Sequence, residues 1–510
     1  MGSAHLQGID VQPPVWWNSG MSKRYRDASS AQTLLLPPSL QDWLPEGHLA
    51  NFVVDVVSDL DLSAIESLIH AKDPRGERPY SPQMMVALLF YAYTCGTFSS
   101  RRIARACVEN VAFRVVSGNH QPHFTVIAGF RRRYLRQLEA LFLQILRLCQ
   151  AAGMVKGEHV HVDGTKVQAN ASKHKAMSYA GMKEREARLK KEIDELLEAA
   201  EKADATDDGR LGEGKDEDDG VAPEVKRRES RREWIRQQRL ALEEEARRAR
   251  AAELREQAAE QRQKAENEPV AAEEKRKITR AKAAEEKAEA LERETMSDPP
   301  AADPLPRHAP ATEPDGTPKP DAQRNFTDPD SRIMLGKKGA YEQCYNGQVV
   351  VDESSHVIVA QALSNQAPDT QYLPPMLDRT IEGLGRPPAS FTGDAGYMAQ
   401  DNIAAALHRG TTPYLAVERE RRSWPPPKPT AGAPPRGADP KAWMAWMLRT
   451  KEGQTRMRKR KSTVELVFGC IKGAMGFRQF LLRGIDKVRG EWALVCIAYN
   501  IRKLHIPDPA

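Results

Sequence analysis

Apolar residues follow three different rhythms along this chain, and each rhythm predicts a different kind of structure. Through residues 21–155 they recur at helical spacing. Leu49, Phe52 and Val53 open a first helical stretch. Ser81-Pro82 reads as a helix start, because serine caps and proline suits the first turn. The helix predicted there runs through Met84, Leu88, Leu89 and Tyr91 and ends at Gly96. Ser99 is placed to cap a helix over residues 101–109, another follows Thr125, and Leu135, Leu138, Leu141, Ile145 and Leu148 stripe a long one over 134–151. Short helices with tight glycine turns resemble helix-turn-helix construction; a plain helical bundle with a basic face has the same pattern.

At His159-Val160-His161-Val162-Asp163 the rhythm becomes strand alternation, closing on Gly164-Thr165. Four further strands are predicted at 345–352, 356–363, 389–392 and 414–417, with a helix over 401–409 between the last two. This is a mixed α/β pattern, and it is interrupted. Residues 180–296 are rich in Ala, Glu, Lys and Arg and poor in large apolar anchors, with Pro269 as a break. Solvated or weakly paired charged helices are expected there, with a coiled-coil partner surface as the sharper reading. Residues 297–324 read as a disordered linker, and the Pro-rich stretch 423–440 as a loop. Helix returns over 441–448 and over 462–504, the latter broken near Gly476 and Gly484.

Composition narrows the classes. A chain of 510 residues is too long for one compact core. The net charge of +6 is a mild surplus, but basic residues cluster at 131–133 and 456–461. Six cysteines without a CxxC pair or a His-rich companion spacing point away from structural zinc and toward a reducing, cytoplasmic compartment. Residues 1–20 lack a basic start and an apolar run, and are expected to be a tag or upstream extension. The longest apolar stretch, 84–95, is too short to span a bilayer.

Three acids stand where chemistry is expected. Asp163 closes a predicted strand, Asp394 follows another within Gly393-Asp394-Ala395-Gly396-Tyr397, and Glu465 sits in a helix. Carboxylates on rigid mounts beside glycines suit a hard divalent cation, and two such ions can activate a nucleophile and neutralise a leaving oxygen in phosphodiester chemistry. Taken singly, an aspartate at a strand end is usually a turn former or a helix cap, and a glutamate in a helix a solvated charge; the functional reading depends on all three together. Lys472 lies two turns beyond Glu465 and shares its helix face.

The surrounding words carry a resemblance. They are Leu36-Pro37-Pro38-Ser39-Leu40-Gln41-Asp42-Trp43-Leu44-Pro45; His161-Val162-Asp163-Gly164-Thr165; Asn325-Phe326-Thr327-Asp328-Pro329-Asp330-Ser331-Arg332; Tyr345-Asn346-Gly347-Gln348 with Val351-Asp352; Gly393-Asp394-Ala395-Gly396-Tyr397; and Val464-Glu465 through Gly476-Phe477-Arg478. In this order the chain resembles the DDE transposases of bacterial insertion sequences, and most closely the group of insertion sequence eleven-eighty-two. The resemblance implies a ribonuclease-H-like catalytic domain with Asp163, Asp394 and Glu465 as catalytic residues and metal ligands. It also implies Mg²⁺, with two ions expected and Mn²⁺ able to substitute. In the family's Tyr-Arg-Glu-Lys signature the Lys falls on Lys472. The Arg position holds Lys461 and the Tyr position Arg458, so two of four positions depart.

The expected organisation is therefore a helical DNA-binding region at 21–155, a catalytic domain at 156–179 and 325–510, and a charged helical insertion at 180–296. The DNA-contact candidates are Lys472, Lys461, Arg460, Arg458 and Arg478, with Arg456 and Lys459 in the same basic run. Arg131, Arg132 and Arg133, with Arg101 and Arg102, are candidates in the helical region. The implied partners are element-end inverted repeats, target DNA and a second protomer or more, in a cytoplasmic, nucleoid-associated setting. The rivals are a non-catalytic DNA-binding relic or regulator, a metal-dependent nuclease that cuts without joining, and a coiled-coil scaffold. His159 and His161 are expected to be structural, and Asp328, Asp330 and Asp352 stand outside the catalytic set.

Overall fold

The computed structural model describes residues 39–71, 78–207, 221–266, 268–293, 305–336, 339–418 and most of 429–505. The extension expected at 1–20, the first words of the resemblance at 36–38 and most of the Pro-rich stretch at 423–440 lie outside the described residues.

Among the described residues, seven α-helices follow a short 3-10 turn at Gln41–Trp43: α1 Leu49–Ser58, α2 Ser63–His70, α3 Pro82–Thr94, α4 Ser100–Glu109, α5 Val111–Val116, α6 Phe124–Arg133 and α7 Leu135–Ala151. Ser81 caps α3 through its hydroxyl, and Gly96, at φ +71°, turns the chain after it. Ser99 precedes α4 but makes no side-chain cap bond. The short helices α2 and α5 have too few turns for their periodicity to stand out in the sequence.

Next comes β1, His159–Gln168, then β2, Ala176–Ser178. Three helices follow, α8 Tyr179–Asp207, α9 Val221–Glu266 and α10 Ala271–Arg293. The chain then returns through β3 Gln323–Asn325, β4 Arg332–Leu335, β5 Tyr341–Asp352 and β6 Ile358–Ser364. The remainder is α11 Leu373–Leu384, β7 Ser390–Gly393, α12 Gln400–His408, β8 Thr412–Leu415, α13 Pro440–Arg449, α14 Lys451–Gly469 and α15 Ile485–His505.

The main sheet runs β4-β5-β1-β7-β8, with β6 also on β5. β5 is antiparallel to β1, β4 and β6, whereas β7 lies parallel to β1 and β8 parallel to β7. The strand reading needs one correction. Asp163 does not end β1; it lies mid-strand opposite Val349, because β5 is long enough to pair β1 onward to Gln168. On its other side β1 pairs with β7 only through His161. Asp163 is thus paired on one flank and lies beside the open end of β7 on the other.

One core binds the N-terminal helices to the sheet. α15 is buried along nearly its whole length and packs on α3, α7 and β6. Its Trp492 presses on Gly347 of β5, where an added Cβ would lie 2.9 Å from the ring. Asn500 completes the edge of β6 by bonding both the N–H and the carbonyl of Ile358. The other sheet face packs against α11, with Tyr372, Met376, Leu377 and Phe391 in its core.

The insertion departs from its sequence reading. α8 and α9 bury Tyr179, Met182, Leu189, Ile235 and Leu242 together, and α9 and α10 close over Ala251, Leu254 and Ala288. Small alanines allow close helix approach where large anchors are few. Glu245 of α9 also pairs with Arg324 and Arg332, tying the insertion to β3 and β4. The linker reading at 297–324 fails over its described part. Leu305 is buried, Thr312 bridges Pro318, and β3 pairs with β2.

Candidate active site

Helix α14 runs beside β1, and its side chains step along the strand in register. Arg456 reaches His159 and Glu353; Arg460 reaches Asp163; Lys472, in the π turn after α14, donates to the Thr165 hydroxyl (2.6 Å) and the Lys166 carbonyl (2.8 Å). Val464, Val467 and Ile471 anchor the helix in the core, which fixes this register.

Asp163 points toward α14. Its side chain is 20% exposed, and Arg460 Nη1 lies 3.7 Å from its Oδ2. Burial and the charge of Asp394 push the Asp163 carboxyl up to about 7, against the pull of Arg460 and the Gly164 N–H. Asp394 caps the short turn 395–397, accepting the Gly396 N–H at 2.8 Å. Asp394, just past the end of β7, is therefore held close enough to oppose the ionisation of Asp163 in β1. An all-oxygen pair of this kind fits a hard divalent cation.

Glu465 is on the exposed side of α14, on the stripe that leads to Lys472. The helix that carries it packs beside β1, the strand of Asp163. Among the described residues, no three His, Cys, Asp or Glu side chains converge as a formed metal site.

The cation candidates divide. Arg458, Lys461 and Arg478 are exposed, and Arg478 Nε also bonds the Lys472 carbonyl. Arg460 is turned inward onto Asp163. Arg132 and Arg133 are exposed at the end of α6, and Arg101 and Arg102 are exposed on α4. Arg131 is different: it is 5% exposed and donates to the Tyr93 hydroxyl and the Phe98 carbonyl (both 2.9 Å). The expected DNA contact at Arg131 is corrected to a core tie, because helical phase turns it inward while its two neighbours face out.

His161 is buried beside Glu353, and burial lowers it to about 4, outweighing the attraction of the carboxylate. Burial likewise lowers His159, which bonds Ser390 and Arg456, so both imidazoles serve the scaffold. Asp352 is a turn acid, holding Ser354 and Ser355. Asp328 accepts from Tyr345.

Sequence reasoning missed Asp369. It lies just before α11, and its Oδ1 accepts from Asn346 Nδ2 and Gln348 Nε2 (both 2.7 Å) and from Lys166 Nζ (3.4 Å). A partial signal existed. Asn346 and Gln348 alternate along β5 and so face the same way. Asp369 itself stands in a loop with no periodic pattern around it.

Residues 317–501 match the family model described as Transposase DDE domain. Residues 38–133 match the one described as Transposase domain (DUF772). Two separate stretches of the chain are thus similar to transposase domains. The DDE-domain match takes in Asp394, Glu465 and Lys472, while Asp163 lies before its start. The second match spans α1 to α6 and ends at Arg133. Neither a curated protein nor a solved structure matches the chain. No helix among the described residues is long and apolar enough to cross a membrane.

Proposed function

We propose that the protein is the transposase of an insertion sequence of the eleven-eighty-two group, cutting element ends and joining them to target DNA. The observation that carries this reading is the closeness of Asp163 in β1 to Asp394, just past the end of the parallel strand β7, in a chain with two stretches that match transposase family models. The strand order supports a ribonuclease-H-like catalytic domain: four antiparallel strands, the acid-bearing β1 with β4, β5 and β6, then two parallel ones, the first ending just before the second acid.

In this reading Asp163 and Asp394 hold divalent ions, Mg²⁺ or Mn²⁺, and Glu465 completes the set when DNA is bound. The ions supply Lewis-acid polarisation of the phosphate and a nucleophile at neutral pH. The chain's own residues bind and orient. Lys472, already held at the open edge of β1, meets a phosphate beside the acids. Arg458, Lys461 and Arg478 extend that contact along the strand, and Arg132 and Arg133 with Arg101 and Arg102 grip duplex DNA through the helical region. Water serves as first nucleophile and the freed 3′ hydroxyl as second. Holding two ends requires at least two protomers, working in the cytoplasm at the nucleoid.

The test is incubation of the native chain and Asp394→Ala with element-end DNA and Mg²⁺. Cleavage and joined product from the native chain alone are expected. Equal cleavage by both removes Asp394 from the reaction, and cutting without joining makes the protein a nuclease.

A further inference from the structure

Asp369 is an acid near the proposed pair that neither the resemblance nor the proposed reaction uses. Its surroundings are built rather than incidental. Asn346 and Gln348 are fully buried, and both amides donate to the same carboxylate oxygen. Asn346 Oδ1 is left buried without a hydrogen-bond partner. An orphaned acceptor is unfavourable, so the amide is turned to serve Asp369 at the expense of its own oxygen. Lys166, in β1, adds a third donor.

The same cluster is bolted to the loop of Asp394. Thr370 Oγ1 donates to the Gly396 carbonyl at 3.1 Å. Asn402 Nδ2 donates to the carbonyls of both Thr370 (2.6 Å) and Tyr397 (2.7 Å). Tyr397, fully buried, donates to Gln348 and so closes the ring. A methyl group placed on Gly396 would lie 3.0 Å from Asp394 Oδ1 and 3.5 Å from Asp369 Oδ2, so the two carboxylates flank one small space. On the other side, a Cβ on Gly164 would lie 2.8 Å from Asp369 Oδ1. Asp369 thus bridges the glycines that follow Asp163 and Asp394.

We propose that Asp369 is a positioning residue of the acid site, a fixed negative charge that braces the Asp394 loop against β1 and β5 and strengthens the site's hold on a divalent cation. It acts through Asp394 and through the local field, as outer carboxylates do around metal ligands. The proposal rests on the metal-dependent reading above.

Mn²⁺ binding to the DNA-free chain, followed by electron paramagnetic resonance, separates the two. Asp394→Asn should abolish tight binding. Asp369→Asn keeps an oxygen for the two amide donors and removes only the charge, and should weaken Mn²⁺ binding about tenfold or more at an unchanged melting temperature. Binding by Asp369→Asn equal to the native chain overturns the proposal while leaving the metal reading intact. So does weak binding by Asp369→Ala alone, since that would mark a purely spatial role. Native binding no tighter than that of Asp394→Asn overturns the metal reading itself, and the role of Asp369 with it. Should Asp369→Asn not fold, Lys166→Gln decides: freeing Asp369 from its cation should tighten Mn²⁺ binding, and unchanged or weaker binding overturns the proposal.

Discussion

Arg460 Nη1 stands 3.7 Å from Asp163 Oδ2, so a guanidinium of the basic run faces an acid of the site rather than solvent. Arg460 lowers the carboxyl that burial and Asp394 raise. Arg460→Met should therefore push the Asp163 carboxyl higher still, and the pH midpoint of Mn²⁺ binding should move upward. A midpoint that stays in place or falls would separate Arg460 from Asp163.

The raised carboxyl of Asp163 has a defined sign in stability. Its value in the folded chain, about 7, lies above its ordinary 3.8, so the folded state holds this proton more tightly than the unfolded state. The resulting support for folding is complete below the ordinary value and is lost as pH rises through about 7. Without metal, Asp163→Asn should melt above the native chain at alkaline pH, and the gap should close toward pH about 4. Divalent cation binding requires the ionised carboxylate, so native Mn²⁺ affinity should fall as pH drops below about 7. Calorimetric melting and Mn²⁺ titration across pH check both statements.

Arg131 and its neighbours should separate cleanly. Arg131 lies near Glu491, a fully buried acid that also accepts the N–H groups of Leu481 and Leu482. Arg131→Met removes the cation near that acid and leaves the Phe98 carbonyl and Tyr93 hydroxyl without their buried donor, a loss of about 1–3 kcal/mol by the usual magnitude for unsatisfied buried groups. Arg132→Ala and Arg133→Ala should leave the melting temperature unchanged and reduce DNA affinity, lowering the salt dependence by about one counterion per lost phosphate contact. Denaturant titration and salt-dependent binding assays read these effects.

Gly96 couples the helical region to the far end of the candidate site. At φ +71° an added Cβ would lie 2.5 Å from the Met475 carbonyl, just beyond the π turn that carries Lys472. Gly96→Ala should destabilise the fold by about 1–3 kcal/mol, from backbone strain together with the clash. Thermal unfolding checks the loss, and an unchanged melting temperature would mean the two segments move apart freely.

Local pattern was enough for most elements. The stripe of α7, the apolar runs within β5 and β6 and the capping serine of α3 are each set by neighbouring residues, so they are legible one at a time. Asp163, Asp394 and Glu465 stood out by their glycine-rich or strand-flanking words. Three things waited for tertiary structure. Asp163 lies mid-strand because β5 extends β1 past Gly164, and partner length is not written in the strand itself. Arg131 turns inward while Arg132 and Arg133 face out, a difference of helical phase set by the buried Tyr93 and Glu491. Asp369 joins the site only because β1, β5 and the loop before α11 meet in space, and long-range convergence leaves no periodic trace in a sequence. The order of residues determined which helices and strands form and which acids are exceptional; the packing of α14 and β7 about β1 decided which side chains face one another.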